Sequence, residues 1–472
     1  MHSAAMLVAG EWRMKDARPV ENPFDESQIG LRAHADRHDL VDAVVSAEEG
    51  AARWHALGPG GRAAVMLKAA SILRERADAI ARIVCREQGK PISQARGEIE
   101  YSAMMIEWDA NEGCRVYGRI VPSAPGRQYA VYRQPIGVVA GFSPWNFPVS
   151  SPTKKISGPL AAGCAVIIKP SEETPGSGTE VVRAFHDAGI PKGVINLLYG
   201  DPSIISEHLI SQPSIRAVTF TGSVAVGKQL SALAAGQLKP ALMELGGHAP
   251  VFVSATADIA NVADLSVAAK ALNAGQVCVS PTRFFIEERV YDEFATRMAS
   301  RARLLHYGSG EDPGTELGPL INARRRDAVE ELIGDARHRG ARLLAGGERA
   351  GQHGYGHALT ILGDVPAEAR AMREEPFGPL ALLIPVRDVE DAVLRANAVD
   401  YGLTGYAFTR SARDMNVLTE HLEVGNLGIN QFVASVLETP FGGVKSSGLG
   451  RSGGIEGLEN FTEIKTVLTL FE

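Results

Sequence analysis

The sequence predicts an α/β protein organised around a doubly wound parallel sheet. Apolar, β-rich runs at 136–142, 165–169, 194–198, 217–220 and 241–245 alternate with helical stretches at 152–162, 177–188, 202–211 and 224–233. These runs are apolar almost continuously, not at every second residue, as strands covered on both faces require. A second αβ series begins near Ala249, with strands expected at 251–253, 283–287, 380–386, 406–409 and 425–430. In such sheets, ligands bind at the carboxyl ends of the strands.

Residues 6–14 read as a short hairpin bending at Gly10. Apolar residues then recur at helical spacing over 39–54 and over 62–88, where Val65, Ala69, Ile72, Ile80 and Ile83 share a face. Gly89 and Pro91 end that second helix, and a third covers 93–111. The β-branched and aromatic run 128–133 reads as a strand or hairpin arm. Residues 258–274 form a further expected helix, 311–363 surface helices and loops, 435–454 a Gly-rich loop, and 461–471 a terminal strand.

At 472 residues the chain can bury two or three cores. A net charge of −7 supplies no general attraction to nucleic acid or to an anionic membrane. The four cysteines, Cys85, Cys114, Cys164 and Cys278, lack paired CxxC spacing, so neither a disulfide framework nor a zinc site is expected, and no metal. The start lacks a basic n-region, and no apolar run reaches bilayer-spanning length, so a cytoplasmic protein is expected.

Cys278 falls between the helix 258–274 and Pro281, in a connection where a side chain can face a cleft. If its pKa falls, the thiolate is a nucleophile; otherwise Cys278 is a small buried residue. In Pro144-Trp145-Asn146-Phe147-Pro148 two prolines hold an Asn amide rigidly after a strand, as a donor to a developing oxyanion must be held. Met243-Glu244-Leu245-Gly246-Gly247 puts a carboxylate at a strand end, where partial burial is expected to raise its pKa and suit it to general base work. Gly222-Ser223, with Gly227 one turn on, opens a helix and offers amides and a hydroxyl to a phosphate, or is a plain tight turn. Lys169 and Glu172 stand past a strand end, where an acidic residue can accept from a ribose and repel an added 2′-phosphate, or are a solvated pair. Glu375 and Phe377 lie in the stiff segment EEPFGP, placed to hold ribose hydroxyls and to pack beside a nicotinamide ring.

Taken together, PWNFP, IIKPSEETP, FTGS, MELGG, GQVC, EEPFGP and PFGGVKSSGLGR occur in an order and at spacings that resemble the NAD(P)-dependent aldehyde dehydrogenase superfamily, from Asn22 to Thr466. The resemblance implies Cys278 as nucleophile, Glu244 as general base, and Asn146 as oxyanion donor together with the Cys278 backbone N–H. It assigns Lys169 and Glu172 to the adenosine ribose, Trp145, Gly222 and Ser223 to the pyrophosphate region, and Glu375 and Phe377 to the nicotinamide side. Gly227 and Leu245 complete the implied cofactor set. The implied cofactor is NAD, with NADP as the alternative. The implied fold is an NAD-binding domain (1–122 and 138–246), a catalytic domain (247–430), a Gly-rich loop at the active site (431–454) and an oligomerisation arm (123–137 and 455–472) building a homodimer or homotetramer.

Within the superfamily the motifs look most like the succinate-semialdehyde dehydrogenase branch, which implies a semialdehyde substrate. The branch often anchors a substrate carboxylate with an Arg six positions before the nucleophile. Here that position is Leu272, a second expected Arg is Lys154, and Ser435 matches a hydroxyl contact. A smaller or less charged aldehyde is therefore the rival substrate. Ser452 also replaces the Glu of a GLGREGG ending, and His248 follows MELGG. The presence of Cys278, Glu244 and Asn146 weighs against a non-catalytic relative, and Glu244 argues for water, not CoA, as final acceptor.

Overall fold

The computed structural model describes residues 2–471. Two sheets carry the fold. The first has the spatial order Gly448–Leu449, Ala241–Glu244, Ile215–Thr221, Val138–Phe142, Ala165–Lys169, Ile195–Leu197, Met6–Val8, Glu11–Arg13. Its five central strands are parallel, and the outer pairings are antiparallel. Strand order reverses about Val138–Phe142, whose neighbours are the next strand in sequence on one side and Ile215–Thr221 on the other. Chains leaving the two sides of such a reversal diverge and leave a crevice. The crossover helices cover both faces, so Val166, Ile167 and Ile168 are fully buried, each stabilising the fold by about 1.5–3 kcal/mol.

The second sheet has the order Arg342–Ala345, Thr360–Gly363, Leu380–Val386, Arg283–Glu287, Pro250–Val253, Thr404–Phe408, Asn426–Ile429. It is parallel except at the Arg342–Ala345 edge. It organises a separate core around Val251, Phe284, Ile361 and Leu382. A third unit pairs Thr462–Leu470 with Arg127–Pro135 over nine register positions, and Arg119–Val121 completes it.

The expected strands of both series form, within a few residues. The expected helix 62–88 is two helices, Gly58–Glu75 and Ala77–Gln88, broken where Arg76 leaves helical geometry (φ −98°, ψ 6°). Apolar periodicity runs through that one-residue break, so spacing does not register it. The segment 311–363 is not only surface. Helix Ala323–His338 buries Val329, Leu332 and Ile333, and Thr360–Gly363 is an interior strand too short to show a pattern. The Gly-rich loop contributes Gly448–Leu449 to the edge of the first sheet. Helix Gly454–Glu459 packs Leu458 into the first core instead of extending the arm. Among the described residues, no helix is long and apolar enough to cross a membrane, and no group of three or more His, Cys, Asp and Glu is placed to hold a metal.

Candidate active site

A cleft of about 1010 Å³ opens at the carboxyl ends of the first sheet, bounded on its far side by the loops 272–279 and 375–377. The turns following Phe142, Thr221 and Glu244 supply one wall, as the strand reversal dictates.

Cys278 lies half-buried on the floor. The expected helix 258–274 stops at Ala271. Asn273, Ala274 and Gly275 then take the left-handed conformation, with φ of 50°, 52° and 71°. Two successive non-glycine residues there store strain that the surroundings must hold. Gln94 Oε1 accepts from the Asn273 N–H at 2.9 Å, Asn273 Nδ2 donates to the Asn146 carbonyl at 2.8 Å, and Gln276 Oε1 accepts from the Ile321 N–H at 2.9 Å. A Cβ on Gly275 would collide with the Gly378 carbonyl. The resulting turn lifts Cys278 out of the core. Burial nevertheless pushes its thiol up to about 12, the Glu375 and Glu244 charges add to this, and Lys154 opposes it. The balance of these groups therefore favours the protonated thiol over a resting thiolate.

Asn146 is fixed from both sides. Its Nδ2 donates to the Gln276 carbonyl at 3.0 Å, tying it to the Cys278 loop, and its second N–H has no protein acceptor among the described residues. Its own carbonyl accepts from the buried Lys90 ammonium at 2.9 Å. Lys90 pairs with Glu98 at 2.6 Å, and Glu98 accepts the Val149 and Ser150 N–H groups at the start of helix Ser150–Ala162. A carboxylate at a helix N-terminus is favourably placed. Lys90 and Glu98 lie more than forty residues upstream of Asn146, and no local spacing pointed to them.

Glu244 is gripped by four groups. Lys155 Nζ reaches Oε2 at 2.5 Å, Thr221 Oγ1 donates to Oε2 at 2.6 Å, Lys154 Nζ stands 3.3 Å from Oε1, and Ser452 Oγ donates to Oε1. Burial works to raise the Glu244 carboxyl, but Lys154 and Lys155 outweigh it and hold it well below the usual carboxylate range. The expected upward shift is therefore reversed: the sequence argument counted burial and not the paired ammonium groups. Lys155 adjoins the residue already noted, Thr221 ends the FTGS strand, and Ser452 had been marked only as a departure.

Trp145, Gly222, Ser223, Leu245, Glu375 and Phe377 all line the cleft. Trp145 and Phe377 meet edge to face at 5.5 Å. Burial pushes Glu375 up to about 7, against a hydrogen bond from the Gly247 N–H. Three expected cofactor residues lie outside the cleft wall. Gly227 faces inward, where a Cβ would strike Leu245, so it serves close helix–strand packing. Lys169 and Glu172 pair with each other at 2.6 Å beyond the cleft, and Glu172 also accepts the Gly200 N–H at 3.3 Å.

Leu272 and Ser435 line the opposite end of the cleft, where Leu272 is 39 % exposed. Lys154 reaches the same region but spends its charge on Glu244 and on the face of Phe441, 4.8 Å away.

The aldehyde dehydrogenase family model matches residues 12–467. A putative 4-(hydroxymethyl)benzenesulfonate dehydrogenase of Comamonas testosteroni is 41% identical over 98% of this chain and 97% of its own. A succinate-semialdehyde dehydrogenase [NADP(+)] of Escherichia coli is 38% identical over 97% and 96%. The crystal structure of a Burkholderia pseudomallei succinate-semialdehyde dehydrogenase superposes with a TM-score of 0.96 at 38% identity, covering 99% of this chain and 98% of that one. The chain belongs to the aldehyde dehydrogenase family.

Proposed function

We propose that this protein oxidises an aldehyde bearing a remote anionic group, such as a semialdehyde, to its carboxylic acid with NAD. The observation that carries the reading is one cleft floor holding a thiol, a tethered amide and an ionised carboxylate, Cys278, Asn146 and Glu244. The Comamonas and E. coli relatives are named for sulfonate- and carboxylate-bearing compounds, and Lys154 is a cation at the substrate end. A smaller uncharged aldehyde is the second reading, favoured by Leu272 and by the engagement of Lys154 with Glu244.

The residues present fit a dinucleotide. The Gly222–Ser223 turn opens a helix into the cleft, the Trp145–Phe377 pair makes a flat apolar wall, and the Glu375 carboxylate faces the space between. When bound, the nicotinamide supplies the acceptor for hydride. Glu172, which pairs with Lys169 and accepts the Gly200 N–H, would take ribose hydroxyls from a dinucleotide reaching beyond the cleft wall and would repel a 2′-phosphate, which supports NAD.

Cys278 Sγ gives its proton to solvent water in the cleft and forms a bond to the aldehyde carbon, the carbonyl π pair moving onto the oxygen. The free Asn146 N–H and the Cys278 amide hold the oxygen as it becomes negative, which lowers the barrier because both are already oriented. Loss of hydride from this thiohemiacetal leaves a thioester on Cys278. Glu244 then takes a proton from the attacking water, the C–S bond breaks to release the acid, and the departing Cys278 sulfur takes that proton from Glu244, restoring thiol and carboxylate. While both ammonium groups touch it, Glu244 is ionised but weakly basic, so it acts as base only as it turns from Lys155 toward the sulfur.

NADH absorbance with a panel of anionic and uncharged aldehydes, NAD compared with NADP and no CoA added, tests the reading. Turnover with anionic aldehydes and NAD is expected; none with any aldehyde would refute it. Asn146→Ala should keep NAD affinity and slow hydride transfer about a hundredfold, the cost of one oxyanion donor at about 3 kcal/mol. An unchanged single-turnover rate would remove Asn146 from the mechanism.

The same reading makes the strand Thr462–Leu470 an assembly arm. Ile464, Leu468 and Leu470 share one face and are all exposed, as an unpartnered apolar row is when it meets another copy. Leu468→Glu should shift the mass in solution to a smaller species by light scattering. An unaltered mass would separate this strand from assembly.

A further inference from the structure

At the amino ends of three adjacent strands of the second sheet, Arg283–Glu287, Pro250–Val253 and Thr404–Phe408, lies a chamber of about 10 Å³, room for one water-sized occupant. Of its lining, Leu403 alone also lines the cleft, and the chamber reaches the surface at Asn397 and the exposed Glu423. Arg283, His248 and Thr404 line it and are at most 2 % exposed. Each keeps one polar atom with no protein partner among the described residues: Arg283 Nη1, His248 Nδ1 and Thr404 Oγ1. Buried polar atoms are ordinarily bonded, so three orphans around one chamber point to an occupant that bonds them.

Arg283 decides its charge. The guanidinium Nε and Nη2 donate to the His248 carbonyl at 3.0 and 2.8 Å, and Nη2 donates also to the Ala396 carbonyl at 3.1 Å. These acceptors carry no net charge. Burial alone pulls the Arg283 pKa down, to about 9, with no carboxylate opposing, so the group stays cationic at neutral pH. The one carboxylate in the lining, Glu423, is exposed and paired with Lys445. A water would satisfy the free N–H groups but leave the buried charge uncompensated, which is unfavourable.

We infer that the chamber binds one monovalent anion of halide size, held by Arg283 Nη1 and Thr404 Oγ1 and taken up together with a proton on His248 Nδ1. Sulfate, phosphate and carboxylates are too large for the space. His248 Nε2 stands 2.9 Å from the Ala371 carbonyl, which only accepts, so Nε2 carries hydrogen and Nδ1 presents a lone pair while the ring is neutral. Burial, and then the Arg283 charge, hold His248 well below the usual imidazole range. An anion between the two cancels that repulsion and gives an Nδ1–H its acceptor. It therefore raises the His248 pKa, and by linkage the anion binds more tightly as pH falls. The charged and titratable groups facing His248 are Arg283, Tyr401 edge-on at 6.1 Å, and the Lys270 charge from helix Ile259–Ala271. Helix Val389–Ala396 and the turn Arg370–Met372 contribute the Ala396 and Ala371 carbonyls. His248 directly follows Gly247, whose N–H donates to Glu375, so the occupant also steadies the turn that leads out of the cleft wall.

The test compares the melting temperature of the intact protein in sodium chloride and in sodium gluconate, whose anion cannot enter, at equal ionic strength. Chloride should raise it by about 2 °C or more over gluconate at about pH 6, and by less at about pH 8. His248→Asn should remove that pH dependence, and Thr404→Val should weaken the chloride effect at nearly equal shape. Crystals grown in sodium bromide should show an anomalous peak between Arg283, His248 and Thr404. Equal melting temperatures in the two salts, or a water in place of bromide, would overturn the site. A chloride effect that is the same at both pH values, or that keeps its pH dependence in His248→Asn, would overturn the coupled proton. If neither variant folds, the parent's two salts and two pH values decide. None of these readouts uses aldehyde turnover, so their outcome is separate from that of the proposed activity.

Discussion

Cys278→Ala is expected to lower NAD-dependent aldehyde oxidation by about a thousandfold or more while leaving the fold and the affinity for NAD nearly unchanged. No other thiol stands in the cleft: Cys85 and Cys164 are buried, with pKa raised to about 12 and about 11, and Cys114 lies outside it. Removing one half-buried sulfur takes away little packing, and Trp145, Glu375 and Phe377, the residues proposed to face a dinucleotide, do not depend on it. The measurements are turnover by NADH absorbance, NAD binding by protein fluorescence and melting temperature. Retained turnover at parental rates would exclude Cys278 as nucleophile. A loss accompanied by a large fall in melting temperature would make it a packing residue.

Glu244→Gln is expected to separate the two halves of the reaction. The amide keeps the shape and can still accept from Lys155, but it cannot take a proton from water. A rapid burst approaching one NADH per subunit should precede a steady state slowed by about a hundredfold or more. Two ammonium groups lose their counter-charge in the variant, and breaking a buried pair commonly costs about 3–5 kcal/mol, so the melting temperature should be recorded beside the burst. Parental steady-state turnover without a burst would remove Glu244 from hydrolysis. In the parent enzyme Glu244 is ionised throughout the neutral range, because its pKa is depressed. Its titration therefore adds no acidic limb near neutrality. A limb near 7 belongs to groups that burial has raised, Asp109 or Glu375.

The fold was legible where the chain obeys one period at a time. Continuous apolar runs marked the five parallel strands of the first sheet, and Gly89 marked a helix end that the structure closes in the left-handed conformation. The strand Thr360–Gly363 was not legible, because four residues inside a Gly- and Arg-rich stretch show neither alternation nor length. The cleft was legible as motifs: Cys278, Asn146, Glu244, Trp145, Glu375 and Phe377 all line it. What sequence could not reach was the electrostatics, which depend on contacts across the fold. Lys154 and Lys155 together reverse the expected shift on Glu244, Lys90 and Glu98 anchor Asn146, and Gly227 packs on Leu245 while the motif alone also allowed a phosphate contact. Lys154 is the sharpest case. It was weighed only as a substituted substrate anchor, and its ion-pair partner is Glu244, the proposed general base.

The account stands on a covalent bond between substrate and Cys278. Mass spectrometry of Glu244→Gln, quenched in acid just after mixing with NAD and aldehyde, examines that bond directly. The account predicts an added mass equal to the acyl group, confined to the peptide containing Cys278 and matched in amount to the NADH burst. A burst with no adduct, or an adduct on another residue, would contradict it.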